Sequence, residues 1–310
     1  MKNFINISEI PKNELRKILD SAKLRKEKRK NLEKNALDHD VPLEGKILAM
    51  IFEKPSTRTR ISFDIAVKQL GGKSLTLNPD EIHYGSGGES LRDTAKVLSQ
   101  YADIVMIRTY EHKKVEQFSK YLSIPIINGL TDLSHPCQIM SDIMTFEEMK
   151  GPINNKKIAW IGDGNNVLYS LIEAAVQFGF NLSFACPKGF GPNKKILQWA
   201  KEQKGKISAF TDPKISVNSA DLIMTDKWIS MGSKTDKKNK KNKKNFFKSF
   251  QVNDKIMKLT KKDSIFMHCL PANRGEEVTD DVLDGKQSAV WLQALNRIHV
   301  QKSIIEWCLT

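Results

Sequence analysis

The chain has 310 residues, 40% of them hydrophobic, enough for two lobes of roughly 150 residues that each bury a core. No apolar run approaches the roughly 18 residues of a membrane span, and residues 1–8 carry no long apolar segment, so a soluble, cytoplasmic protein without membrane contact is expected. A formal net charge of +14 invites a nucleic-acid reading, yet the excess gathers in residues 23–30 and 234–244, with no aromatic side chains between the lysines to stack on bases. Such runs are expected to be solvated, with no nucleic acid bound, while the overall basicity would raise the local concentration of anionic substrates. The cysteines Cys137, Cys186, Cys269 and Cys308 are far apart and form no CxxC pair. Reduced thiols are expected, with no metal site and no disulfide framework.

In chain order, a polar helical stretch over residues 9–32 starts after Pro11. A regular alternation then begins, with strands expected at 46–52, 73–78, 102–109 and 124–130 and helices at 58–70, 90–101 and 113–122 between them. A helix over 135–149 leads to Gly151-Pro152, a hinge. The alternation restarts with strands at 157–161, 181–185, 206–210, 220–224 and 264–267, a helix over 167–178, and a last helix over 293–309 that could pack back across the first lobe. Strand, helix, strand in this order implies parallel sheets with right-handed crossovers. The fold class is therefore α/β, with two doubly wound lobes, each a parallel sheet flanked by helices, and a cleft between them. No short internal repeat is evident, so the lobes share an architecture and not a repeated sequence.

Ligands of open parallel sheets bind beyond the carboxyl ends of the strands, so the residues just after each strand carry the functional reading. The run Ser56-Thr57-Arg58-Thr59-Arg60 stands where the first strand hands over to a helix N-terminus, whose free N–H groups and dipole favour an anion. Residues two apart do not share a helix face, so Arg58 is expected on the anion and Arg60 in a structural ion pair. Arg108-Thr109 and His135-Pro136-Cys137-Gln138 follow later strands of the same lobe. Arg108, His135 and Thr59 can converge as donors on a carbonyl oxygen, and Gln138 can bind an amide NH₂ through its side-chain oxygen. A substrate with a phosphate and a carbamoyl-like group fits. In the second lobe Asp226 stands beside Ser230 and Asn166, a set that suits the zwitterionic head of an amino acid acting as an amine nucleophile. Taken singly, Ser56 would be an ordinary cap, His135 a capping residue before Pro136, and Asp226 a turn residue; six such groups on one sheet edge make a site.

Phe52-Glu53-Lys54-Pro55-Ser56-Thr57-Arg58-Thr59-Arg60, His135-Pro136-Cys137-Gln138, Asp226 with Ser230-Met231-Gly232, and His268-Cys269-Leu270-Pro271 with Arg297 resemble the signature set of the carbamoyltransferases. The Ser-Thr-Arg-Thr-Arg run is shared with the aspartate-specific members; the Ser-Met-Gly loop with His-Cys-Leu-Pro is similar to the ornithine-specific branch. The resemblance covers residues 46–302 in order. It implies a carbamoyl-phosphate-binding domain at 1–134, joined by a C-terminal helix at 293–310, a linking helix at 135–150, and an ornithine-binding domain at 151–292. It implies that Ser56, Thr57, Arg58 and Thr59 bind the phosphate of carbamoyl phosphate. Arg108, His135, Gln138, Arg297 and the backbone of Cys269 and Leu270 would hold the carbamoyl group, and Asn166, Asp226, Ser230 and Met231 would hold ornithine. Arg108, His135, Thr59 and Cys269 would be the catalytic set, without a covalent intermediate and without a metal or cofactor. Similar enzymes are trimers in which a neighbouring subunit completes the site, and His83 is the candidate donor.

Three other readings compete. Gly162-Asp163-Gly164-Asn165-Asn166 after a strand is similar to a dinucleotide fingerprint, but Val167 stands where the third glycine belongs and no acidic residue follows the next strand. A basic RNA-binding protein on a transferase fold would bind RNA tightly and form no citrulline. Putrescine as acceptor would leave Asp226 and Asn166 without an α-amino-acid head to bind.

Overall fold

The computed structural model describes residues 1–78, 88–229 and 244–310. The chain divides into two compact units, Met1–Met144 with Leu295–Thr310, and Thr145–Ala294.

Unit 1 holds a four-stranded parallel sheet in the order β2-β1-β3-β4, formed by β1 (Ile47–Phe52), β2 (Lys73–Leu77), β3 (Ile104–Arg108) and β4 (Ile126–Leu130). β1 reads Ile-Leu-Ala-Met-Ile-Phe without a polar residue because helices cover both faces of a parallel sheet. The helices are α1 (Lys12–Lys28), α2 (Thr57–Gln69), α3 (Leu91–Tyr101) and α4 (His112–Tyr121). Ala49, Ile51, Val105, Ile107, Val115, Phe118 and Ile126 form one buried core on this sheet. α5 (Pro136–Lys150) follows β4 and contains the boundary between the units.

Unit 2 holds a five-stranded parallel sheet in the order β7-β6-β5-β8-β9, from β5 (Lys157–Ile161), β6 (Asn181–Ala185), β7 (Ile207–Phe210), β8 (Leu222–Thr225) and β9 (Ile265–His268). α6 (Asn166–Phe178) and α7 (Lys194–Glu202) are its longer helices. Ala159, Ile161, Ile223, Phe266, Val278 and Val290 are among its buried core residues. Among the described residues no helix is long and apolar enough to cross a membrane.

Several boundaries differ from expectation for local reasons. The first helix stops at Lys28, short of residue 32, because the Arg29 guanidinium turns the chain by donating to the carbonyls of Glu33 and Ala36 (both 2.9 Å) and to Asp38 (2.5 Å). The third strand starts at Ile104, two residues late, and the eighth at Leu222, because Asp103 and Asp221 act as staples at their starts. Asp103 accepts the N–H of Ile47 and Asp221 that of Lys157, each at 2.9 Å, so each carboxylate ties the start of its strand to the neighbouring strand, β1 or β5. The last helix starts at Val290, not 293.

Unit 1 is completed by that helix, Val290–Leu309, of which residues from Leu295 onward belong to it. A buried charge network fastens it. Lys302 Nζ donates to both oxygens of Asp38 at 2.8 and 3.0 Å, and Arg29 and Arg25 reach the same carboxylate. Arg25 also pairs with Glu306, and Lys26 donates to Asn296 at 2.8 Å. Burial opposes ionisation of Asp38, yet the Lys302 and Arg29 hydrogen bonds hold its carboxyl below the usual range.

Candidate active site

In each sheet the strand order reverses once, between β1 and β3 in unit 1 and between β5 and β8 in unit 2. Crossovers leave in opposite directions there and open a crevice beyond the carboxyl ends. The residues after those four strands are the Ser56–Arg60 run, Arg108 at the end of β3, Gly162–Asn166, and Asp226. The topology therefore delivers the polar runs of the sequence to the two switch points.

In unit 1 Ser56 is the N-cap of α2, in extended conformation, and its Oγ accepts the Thr59 N–H at 3.3 Å. This cap sets the first turn, with Thr59 almost wholly buried at 1% exposure and Arg58 half-buried. Thr59 Oγ1 accepts from Arg297 Nη2 at 2.8 Å and from Arg108 Nη1 at 3.4 Å. Arg297 Nη1 also donates to Gln138 Oε1, and Gln138 Nε2 donates to Asp142 at 2.8 Å. Residues 59, 108, 138 and 297, far apart in sequence, thus meet through direct hydrogen bonds. Phe52 is the register partner of Arg108, which explains how the loop after β1 and the end of β3 share one place.

His135 immediately precedes α5 and is buried at 3% exposure. Its pKa lies well below the ordinary histidine value, first through burial and then through Arg297, Arg108, Arg58 and Lys54. A neutral imidazole can donate one N–H without adding a charge to this crowd. Lys54, which stands against the Tyr110 ring at 4.2 Å, has its own pKa lowered by burial and then by Arg108. It belongs to the same positive cluster, although its place in the motif gave no sign of that beyond its nearness to Ser56.

Among the described residues Arg60 makes no ion pair. It is exposed, and among the described residues it donates to the Asn78 side-chain oxygen at 3.0 Å and lies over the Phe52 ring at 5.4 Å, neither of them a carboxylate. The helix turn between residues 58 and 60 points it toward the end of β2.

In unit 2 Asn165 caps α6, its Oδ1 accepting from the N–H groups of Val167 and Leu168 at 3.0 and 3.3 Å. Its Nδ2 donates to Asp226 Oδ2 at 2.7 Å, while the Cys269 thiol donates to Asp226 Oδ1 at 3.3 Å. Asn165 is thus the hydrogen-bond partner of Asp226, where the sequence pointed to Asn166, the half-buried first residue of α6; its N-cap position was the available signal. Leu270 has φ +58° and donates its N–H to His268 Nδ1 at 2.8 Å, and Pro271 follows in cis. Gly164 serves packing: a Cβ there would lie 2.4 Å from the backbone of Gly191, so its glycine answers to the neighbouring loop. His83, Ser230 and Met231, with Gly232 and most of the lysine-rich run, lie outside the described residues.

Residues 2–148 match the model of the aspartate/ornithine carbamoyltransferase carbamoyl-P binding domain, and residues 154–308 that of the Asp/Orn binding domain. The chain belongs to the aspartate/ornithine carbamoyltransferase family. It is 49% identical over 309 residues to the ornithine carbamoyltransferase of Brucella suis biovar 1, covering 100% of this chain and 96% of that one. Among solved structures it is similar to the ornithine carbamoyltransferase from Pyrococcus furiosus, with a TM-score of 0.91, 44% identity and coverage of 98% and 96%. It is also similar to the anabolic ornithine carbamoyltransferase from Campylobacter jejuni, with a TM-score of 0.88, 34% identity and 99% coverage of both chains.

Proposed function

We infer that this chain is an enzyme that transfers the carbamoyl group of carbamoyl phosphate to the δ-amine of L-ornithine, giving L-citrulline and phosphate. The observation that carries the reading is the meeting of Arg108 and Arg297 on Thr59 Oγ1, in the charged surroundings of a neutral His135. Those groups are suited to a substrate with a dianionic phosphate beside a polarisable carbonyl. Full-length relatives named ornithine carbamoyltransferase support the acceptor.

In this proposal Ser56, Thr57, Arg58 and Thr59 hold the phosphate at the start of α2, where the unused N–H groups and the dipole add to the guanidiniums. Arg108 and His135 donate to the carbamoyl oxygen, whose charge grows as the tetrahedral intermediate forms. The side-chain oxygen of Gln138, itself held by Arg297, and the backbone carbonyls of Cys269 and Leu270 accept from the carbamoyl NH₂. Asp226, with Asn166, Ser230 and Met231, receives the amino-acid head of ornithine. The nucleophile must be a neutral amine, while a free alkylammonium has a pKa of about 10.4, so the rate at low ornithine is expected to rise with pH. Phosphate then leaves against Arg58. Catalysis in this scheme is positioning plus electrostatic stabilisation, with no covalent enzyme intermediate.

The proposal extends to arginine biosynthesis as the direction, in line with the anabolic C. jejuni relative. It also extends to a cytoplasmic location, in line with four free cysteines, of which three are buried, and to a homotrimer or a multiple of trimers with His83 reaching a neighbouring site. The direct test offers carbamoyl phosphate with ornithine, putrescine, aspartate or N-acetylornithine and measures the carbamoylated product. Citrulline formation is expected; activity with putrescine and none with ornithine would overturn the assignment.

A further inference from the structure

The first residues of the chain dock beside β4. Phe4 bridges Ile127, its N–H donating to Ile126 O at 2.9 Å and its carbonyl accepting from Asn128 N at 2.8 Å. This carries Asn6 into the interior, where it is 8% exposed. Its Nδ2 donates to Glu9 Oε1 at 2.9 Å and meets His112 Nε2 at 3.2 Å, while its Oδ1 accepts from Ser134 Oγ at 3.0 Å. Ser134 Oγ in turn accepts from Asn128 Nδ2 at 2.8 Å. The carboxylate of Glu9 can only accept, so the Asn6 amide is oriented with its nitrogen toward both Glu9 and His112. His112 Nε2 must then be the acceptor and Nδ1 must carry the proton.

That proton points at Thr131 Oγ1, 2.9 Å away. Thr131 is fully buried, and its Oγ1 also receives the N–H groups of Ser134 at 3.1 Å and Leu133 at 3.3 Å. Thr131 N closes the turn on Ser134 O at 2.9 Å, and Asp132 accepts the His112 N–H at 3.1 Å. The next residue is His135. A chain of directed hydrogen bonds therefore runs from Asn6 through His112 to both ends of the turn that delivers His135 to the start of α5.

We propose that His112 and Asn6 are positioning residues for carbamoyl transfer, holding the 131–134 turn so that the His135 imidazole faces the reacting carbonyl. The inference rests on the reading of His135 as the donor to the carbamoyl oxygen. It requires His112 to be neutral, because a proton on Nε2 would oppose the Asn6 N–H. Burial lowers the His112 pKa, in keeping with this, although Glu116, Glu9 and Asp132 all face it and pull the other way; the Glu116 carboxylate is 3.9 Å from Nε2.

The test uses the full chain, with citrulline formation as readout and circular dichroism as the check on folding. His112→Phe is expected to lower kcat by about 10- to 100-fold while both KM values stay within about threefold. His112→Asn, whose amide N–H can still reach Thr131, should recover part of that loss. Asn6→Asp places a carboxylate against Nε2, favours the protonated ring, and should move the acid limb of the kcat profile to higher pH. In a His135→Ala background, His112→Phe should cost nothing further, since the group it positions is gone. Full kcat in folded His112→Phe, an additive loss in the double variant, or an acid limb unmoved by Asn6→Asp would overturn the proposal. If His112→Phe does not fold, His112→Asn and Asn6→Asp carry the test. Unchanged activity in His135→Ala alone would instead refute the reading of His135.

Discussion

The two switch points present different chemistry. In unit 1, Thr59, His135, Gln138 and Arg297 are nearly inaccessible, and two guanidiniums share one hydroxyl oxygen. In unit 2, Asp226 and Cys269 are half-buried, and a single carboxylate takes two neutral or weakly polar donors. Several cations held close together repel one another, more so out of water, so they need fixed oxygens between them; Thr59 and Gln138 supply these. On the proposed reading, the ligand of unit 2 is zwitterionic and brings both signs of charge itself, so one carboxylate with amide and thiol neighbours would be enough to orient it. The contrast teaches that the harder electrostatic task lies where the tertiary structure is most tightly built.

The largest effect is expected from breaking the crowded side. Arg108→Ala removes a donor to the growing oxyanion and should lower kcat by roughly 10²–10³-fold, with the ornithine KM little changed in steady-state assays. A kcat within threefold of the parent would show that the cluster only binds. Asp226→Ala tests the other side: the KM for ornithine should rise by about 10- to 100-fold, the worth of a hydrogen bond to a charged group, with carbamoyl-phosphate affinity preserved. Loss of affinity for both substrates would erase the proposed division of labour. The smallest effect concerns the frame. Asp38 is held below its ordinary value of 3.8, so its contribution is complete above that value and is lost as pH falls through the lower folded value. The protection of amides in the last helix, measured against their intrinsic exchange rates at each pH, should therefore fall on acidification before that in β5. Equal loss in both would mean the network at Asp38 carries no special acid sensitivity.

Much of the architecture could be read from residues alone, because buried parallel strands are short apolar runs and their helices carry local caps. β5 and β6 run as expected over 157–161 and 181–185. The starts of β3 and β8 were misread because Asp103 and Asp221 act through a neighbouring strand, a contact with no local signature. The bond of Arg60 to Asn78 had no local signature either, since it depends on where β2 ends. Asn165 was legible as a cap, but its bond to Asp226, 61 residues away, was not.

What the sequence determined by itself was the inventory: alternating elements, a hydroxyl-and-arginine run at a helix start, and polar residues after the strands, all consequences of periodicity and chain-local geometry. Which groups actually meet was decided only by the tertiary structure. Strand order set the two switch points, and the network at Asp38 docked the last helix so that Arg297 reaches Thr59. The pairing of Asn6 with His112, 106 residues apart, likewise exists only because the first strand-like segment adds itself beside β4. Such contacts depend on long-range packing, which no local pattern encodes.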